Sequence, residues 1–248
     1  MKYETPIYRN LIKGEELFTY NIKIKQTDLF IRTDKDCREI AEKKTKEIRR
    51  QLEDYIEKNP IFAHTFEPYP LSGEAPEIVK LMASASIKAG VGPMAAVAGA
   101  IAELVGKELA KFCQDVIVEN GGDIFIKCSK PRIVGLYAGI SSPFTNKVGI
   151  LVEPGETPLG ICTSSGTVGQ SFSMGDADAV VAIAHSSALA DAYATALANL
   201  VKKRFSLKRV LEKGDELMGI IVAIGEKLIV KGKVNLLSLK LSEYSFKI

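Results

Sequence analysis

The chain has no tryptophan and few aromatic side chains, 7% of 248 residues. Alanine, glycine, isoleucine and valine supply the apolar content instead, which predicts small-residue helices packed closely on sheets. No apolar run is long enough to cross a bilayer. The stretch 90–102 is short and interrupted by glycine, against the roughly 20 residues a spanning helix needs. The longer stretch 179–201 carries His185, two serines and Asp191. The first ten residues, MKYETPIYRN, hold no apolar core, so the expected location is the cytoplasm, with no membrane partner.

Cysteine and histidine are also scarce. Cys37, Cys113, Cys128 and Cys162 stand far apart, with no C-x-x-C spacing and no histidine nearby. That argues against zinc or iron–sulfur ligation and predicts reduced, buried thiols. The two histidines, His64 and His185, have no evident partners; His185 either ends a strand or acts as a base.

Positive charge is missing where the motifs lie. The net charge is +3, but residues 61–200 hold 8 basic against 13 acidic side chains. A nucleic-acid groove needs clustered lysine and arginine, so that class is excluded. A hydrophobic content of 46% with 25% charged residues predicts an ordered globular chain, expected to be one compact domain over 1–248 with its motifs in 85–204.

The alternation in 17–32, with a break at 26–28, predicts two strands or one long kinked strand. Asp36 or Thr33 caps a following helix that runs to Lys58, with Ile40, Ile48, Leu52 and Ile56 inward. Helices are expected at 76–88 and again to Ala110 after a break at 90–93, the second with an inner face of alanine and glycine. Residues 115–128 read as a hairpin turning on Asn-Gly-Gly. Further strands are expected at 132–140, 147–152 and 158–163, then a helix 188–204 capped by Ser187 and ending on Lys202, Lys203 and Arg204. The tail 218–241 reads as two or three strands.

Three segments carry candidate chemistry. In the helix after Ser187, Asp191 and Thr195 lie four residues apart on one face. They form a hard-oxygen pair suited to Mg2+; alternatively Asp191 only favours a helix start. In ENGGDI (119–124) the glycines admit a ligand and the amides form an anion nest, or the segment is a plain turn. In ICTSSGTVGQS (161–171) hydroxyls and glycines make a phosphate loop without a Walker lysine, or again a turn. Cys162 stands beside it, either reactive or simply buried in a strand.

In chain order, GVGPMAAVAGAIAEL, NGGDI, CTSSG and HSSALADAYATALANLV resemble the motifs of the ApbE-like superfamily, whose best-known members are FAD:protein FMN transferases. The wording VGPMAAVAGAIAE, VENGGDI and CTSSGTVG is closest to an uncharacterised archaeal and bacterial branch. The resemblance implies an α/β (α+β) fold of two tightly fused T-fold-like halves, with antiparallel sheets and packed helices. It implies Mg2+ at Asp191 and Thr195. It implies FAD, FMN or another nucleotide along Asn120, Gly121, Gly122, Asp123, Thr163, Ser164, Ser165 and Gly166.

Two departures bear on activity. The transferases carry H-x-x-D-P-x-T-G between the last two motifs; here the 24 residues between Gly166 and Asp191 contain no such segment, and His185 is not its equivalent. The lysine of their A-K-G is replaced by an alanine–valine run. The expected function is therefore nucleotide and Mg2+ binding without protein flavinylation. The second reading is a non-catalytic or partner-dependent accessory factor, in sulfur assimilation, that turns on Cys162. Both readings admit a homo-oligomer.

Overall fold

The computed structural model describes residues 17–165, 177–201 and 207–239. Its frame is an eight-stranded sheet in which every neighbouring pair is antiparallel. Strands β1 (Phe18–Ile24) and β2 (Thr27–Thr33) lead into helices α1 (Arg38–Lys58), α2 (Ile61–His64), α3 (Glu77–Ala89) and α4 (Val97–Leu109). The chain returns as β3 (Val116–Asn120) and β4 (Asp123–Lys127). After β5 (Arg132–Gly135) and β6 (Val148–Val152) the plan repeats. Strands β7 (Leu159–Ser164) and β8 (Ala179–Ala184) precede α5 (Ser187–Leu200) and α6 (Leu207–Lys213), then β9 (Gly219–Ile224) and β10 (Lys227–Gly232).

Each half is thus two strands, helices, two strands. The halves fuse where β4 pairs with β7, with Ile124 opposite Ile161. The expected antiparallel, two-half architecture is what the chain adopts. A small second sheet joins β5, β6 and β11 (Asn235–Ser238).

The long sheet is buried on both sides at its centre, which explains why β3, β4, β7 and β8 read as continuous apolar runs rather than alternating ones. On one side Val118, Phe125, Cys162, Ala182 and Val222 meet the helices. On the other Ile117, Ile126, Ile161, Ile183 and Ile221 meet Val134, Ile150 and Val152 of the small sheet.

Several boundaries differ from expectation. The strand expected over 132–140 ends at Gly135. Ser186, not Ser187, caps α5, its Oγ accepting from the Leu189 amide at 3.3 Å. In α1 the buried stripe is Ala41, Thr45, Ile48 and Leu52; Ile40 and Ile56 flank it half-buried, because alanine and threonine let that stripe sit closer to its neighbours. Cys37 holds the cap position of α1, while Asp36 Oδ1 accepts from the Arg38 amide. Helix α6 was not expected, since its short polar sequence lacks a strong apolar period. Lys202, Lys203 and Arg204 lie outside the described residues. No single helix among the described residues is long and apolar enough to cross a membrane.

The α4 and α5 helices approach each other and the sheet more closely than ordinary side chains permit. A Cβ at Gly99 would overlap the Ser187 carbonyl, one at Gly160 the Ser187 backbone, and one at Gly106 the Phe125 ring. Replacing Gly160 by Ala is expected to cost about 1–3 kcal/mol of stability, because rigid backbone must retreat. Gly155→Ala, where the space is open, should stay within about 0.5 kcal/mol. Urea unfolding of the two variants checks the contrast.

Candidate functional site

The hairpin joining β3 to β4 turns on two glycines with φ of +66° and +104° at Gly121 and Gly122. Few side chains tolerate both values, so Asn-Gly-Gly is a structural requirement of a two-residue turn. A Cβ at either glycine would meet nothing. The Gly122 amide donates to the buried Glu119 carboxylate at 2.7 Å, so the anion at this end of the turn is the chain's own. Asn120 pairs across the turn with Asp123 and donates through Nδ2 to the Ala98 carbonyl at 3.0 Å.

Asn120 therefore fastens the hairpin to the first turn of α4. A helix start leaves amides without an intrahelical acceptor. The Gly99 amide finds its acceptor on another helix, donating to Asp191 Oδ2 at 2.9 Å. Asp191 is an inward-facing acid in an alanine-rich helix, 8% exposed. Thr195, one turn further along α5, is half-buried.

Asp123 completes the group. Ile124 pairs with Ile161, so Asp123 stands beside Cys162 on β7, facing the helices. The Cys162 thiol is within hydrogen-bonding reach of the Asp123 carboxyl and of the Ser187 carbonyl, the latter at 3.2 Å. The Thr163 amide also donates to Asp123. Even so, Asp123 Oδ1 is buried with no partner, as is Ser164 Oγ. Buried polar atoms are nearly always satisfied, so two such atoms in adjacent strands are the most unusual feature of the region.

The electrostatics follow from this crowding. Burial raises Asp123 well above the usual carboxylate range, and the neighbouring Asp191 charge adds to it. Burial pushes Asp191 up to about 7, opposed by the Gly99 and Ala98 amides. Cys162 is raised well above an ordinary thiol by burial and then by the two carboxylates. Two buried carboxyls in electrostatic contact cannot both ionise cheaply without a cation. Among the described residues no three His, Cys, Asp or Glu side chains form a complete cage.

Of the residues singled out from sequence, Asn120, Asp123, Thr163, Ser164 and Asp191 lie on the adjoining ends of β3, β4, β7 and α5. Gly121 is exposed at the turn, Ser165 is partly buried, and Gly166 lies outside the described residues. His64 and His185 are exposed, His185 Nδ1 lying 3.4 Å from the Pro158 carbonyl.

Two contributors were missed. Gly99 supplies the amide that holds Asp191. Glu103, 1% exposed, accepts from Ser186 Oγ at 2.7 Å and the Ala188 amide at 3.1 Å, so it fixes the start of α5. Its signal was available: an acid set in the apolar stretch 100–106, four residues before Lys107.

Residues 9–218 match the family model described as "AbpE bacteria". The chain belongs to that ApbE-like family. It is 45% identical over 226 residues to a UPF0280 protein of Methanocaldococcus jannaschii, covering 88% of this chain and 91% of that one. It is 42% identical over 228 residues to a UPF0280 protein of Methanococcus vannielii, covering 88% and 92%. Among solved structures it resembles the apo flavinyl transferase ApbE of Pseudomonas stutzeri, with TM-score 0.58, 15% identity, and coverage of 89% and 94%. The flavin transferase ApbE of Vibrio cholerae gives 0.56, 14%, 87% and 96%. At these identities the likeness to the solved structures is one of fold.

The raised Asp191 gives a pH dependence with a definite sign. Below about pH 4 it is neutral folded and unfolded. Between about 4 and 7 the unfolded chain ionises first, so stability falls as pH rises, levelling above 7. In Asp191→Asn the side-chain oxygen still accepts from Gly99 while the charge is gone. In metal-free buffer this variant should therefore melt several degrees above wild type at pH 8 and much closer to it at pH 4. Equal offsets at both pH values would contradict burial as the cause.

Proposed function

We propose that the ApbE-like chain binds FAD, FMN or a related nucleotide together with Mg2+, in the cytoplasm, without transferring flavin to protein. The observation that carries this reading is the pair of unsatisfied buried oxygens, Asp123 Oδ1 and Ser164 Oγ, beside a second buried carboxylate at Asp191. Polar atoms left in that state are accounted for by a ligand that completes them.

The donor set fits a hard cation better than a soft one. Asp191 and Thr195 offer oxygen, and Asp123 adds a second carboxylate nearby. Mg2+ takes few protein ligands and leaves its remaining positions to water and phosphate oxygens, which agrees with the absence of a full cage among the described residues. Bound there, it would neutralise the two carboxylates and supply charge to a pyrophosphate. The chain's own residues would do the rest. Gly121 leaves open space over the hairpin, and Thr163, Ser164 and Ser165 would offer hydroxyls to the nucleotide.

Flavinylation is left out because the H-x-x-D-P-x-T-G segment is missing from 167–190 and the exposed His185 faces a backbone carbonyl instead. A scaffold can outlast its reaction. The alternative, an accessory factor dependent on Cys162, gains no support from that thiol, which is fully buried and held protonated.

Isothermal titration of the full chain with FAD, FMN and ATP, with and without Mg2+, tests the proposal. Mg2+-dependent binding of at least one nucleotide is expected, with affinity reduced about tenfold or more in Asp191→Asn. Failure of all three to bind under both conditions would overturn it.

A further inference from the structure

The four cysteines are dispersed in sequence, but two of them meet in space. All are free and buried, but Cys37 and Cys113 bring their Sγ atoms to 3.3 Å. Cys37 stands at the cap position of α1 and Cys113 in the turn between α4 and β3. The juxtaposition is fixed by the sheet, because β2 pairs with β3 with Thr33 opposite Val116. Next to it, the Asp34 amide donates to the Asp115 carbonyl at 3.3 Å and the Asp115 amide to Asp34 Oδ1 at 3.1 Å. Lys35 Nζ donates to the Phe112 carbonyl at 2.8 Å. Backbone on both sides of the two sulfurs is thus tied together. The pair lies at the opposite end of β3 from the glycine hairpin, so it is not part of the nucleotide site.

We propose that Cys37 and Cys113 form an oxidation site, closing to an intramolecular disulfide when a peroxide or a small disulfide acts as two-electron oxidant. With a peroxide, one sulfur attacks as thiolate, breaks the O–O bond and becomes a sulfenic acid. The second sulfur then displaces the hydroxyl, which leaves with a proton as water. Two thiols and one hydrogen peroxide give one disulfide and two waters, the sulfurs losing two electrons to the peroxide oxygens. Little backbone movement is needed, since the sulfurs already touch.

The surroundings set the rate. Burial pushes the Cys113 thiol up to about 12, helped by the Cys37 thiol and the Asp34 carboxylate. Thiolate is scarce at Cys113, and burial of both sulfurs limits the access of oxidant, so closure needs oxidant in excess. This is a slow staple rather than a fast sensor. Closure joins residues 76 apart and ties the start of α1 to the end of α4. The loop encloses four helices, so the unfolded chain loses much conformational freedom on closure.

The test uses the reduced full chain, incubated with hydrogen peroxide or diamide, quenched, unfolded and alkylated before peptide mass mapping. The expected result is loss of two of the four thiols and one cross-linked peptide containing Cys37 and Cys113. Dithiothreitol should reverse it, and Tm should rise by roughly 5–10 °C in the oxidised form. Cys37→Ser, or Cys113→Ala should the first fail to fold, should show no cross-link and no rise. The same treatment of the urea-unfolded chain establishes that the oxidant is competent. The proposal is overturned if the native chain then keeps all four thiols, or if Cys128 or Cys162 supplies the partner.

Discussion

The hydrogen bond from the Gly99 amide to Asp191 exists only because two helices meet without side chains between them. A Cβ at residue 99 would occupy the space of the Ser187 carbonyl and the Asp191 side chain. Removing that atom lets an acid from α5 satisfy a helix start on α4, which would otherwise leave an amide buried and unpaired. The same contact takes Asp191 out of water and sets it near Asp123. Close packing and unusual electrostatics are therefore one fact seen from two sides. Glu103 reinforces the arrangement from the other direction, running from α4 to the first turn of α5. Each helix supplies the acid that completes the other's start.

The two-half topology explains why this happens where it does. Each half contributes one long alanine-rich helix, and the halves join along β4 and β7. The innermost strands thus belong to different repeats. Asp123 comes from the first half, Cys162 and Ser164 from the second, and they are neighbours only because of that seam. Catalytic and binding groups are easier to assemble at such a junction than inside one repeat, since two segments distant in sequence present side chains on one face.

Legibility from sequence followed the range of the interactions. The hairpin at Asn120 was readable because positive φ at Gly121 and Gly122 is a local demand. The strands of both halves were readable from apolar runs, and the break at 90–93 from Gly90, whose φ of +70° ends α3. The identity of Asp191 as special was readable from the energetic oddity of an acid in an alanine helix. What sequence withheld was long-range. Nothing near residue 99 says that its amide will face residue 191, and nothing in the spacing of Cys37 and Cys113 says that β2 and β3 will bring them into contact. The strand expected through Ile140 ends at Gly135; the Leu136 amide still donates to the Val148 carbonyl at 2.8 Å, and beyond it the Ala138 amide turns to the Thr145 hydroxyl at 2.9 Å, partners that the segment's own alternation does not announce.

The charge pattern gives the proposed ligand its strongest constraint. The motif-bearing part of the chain is acidic on balance, and its innermost polar groups are two carboxyls and a buried thiol. A pyrophosphate brought to such a place meets repulsion from whichever of Asp123 and Asp191 is ionised, and low permittivity enlarges it. Backbone amides at a helix start soften this, but the Gly99 amide is taken by Asp191 and the Gly122 amide by Glu119. A nucleotide could then be held only if positive charge arrives with it. A divalent cation does this for both sides at once, ligating the carboxylates and the phosphate oxygens. The scarcity of lysine and arginine in this region, taken first as a reason to exclude nucleic acid, is thus also a reason why metal and nucleotide would bind together rather than separately.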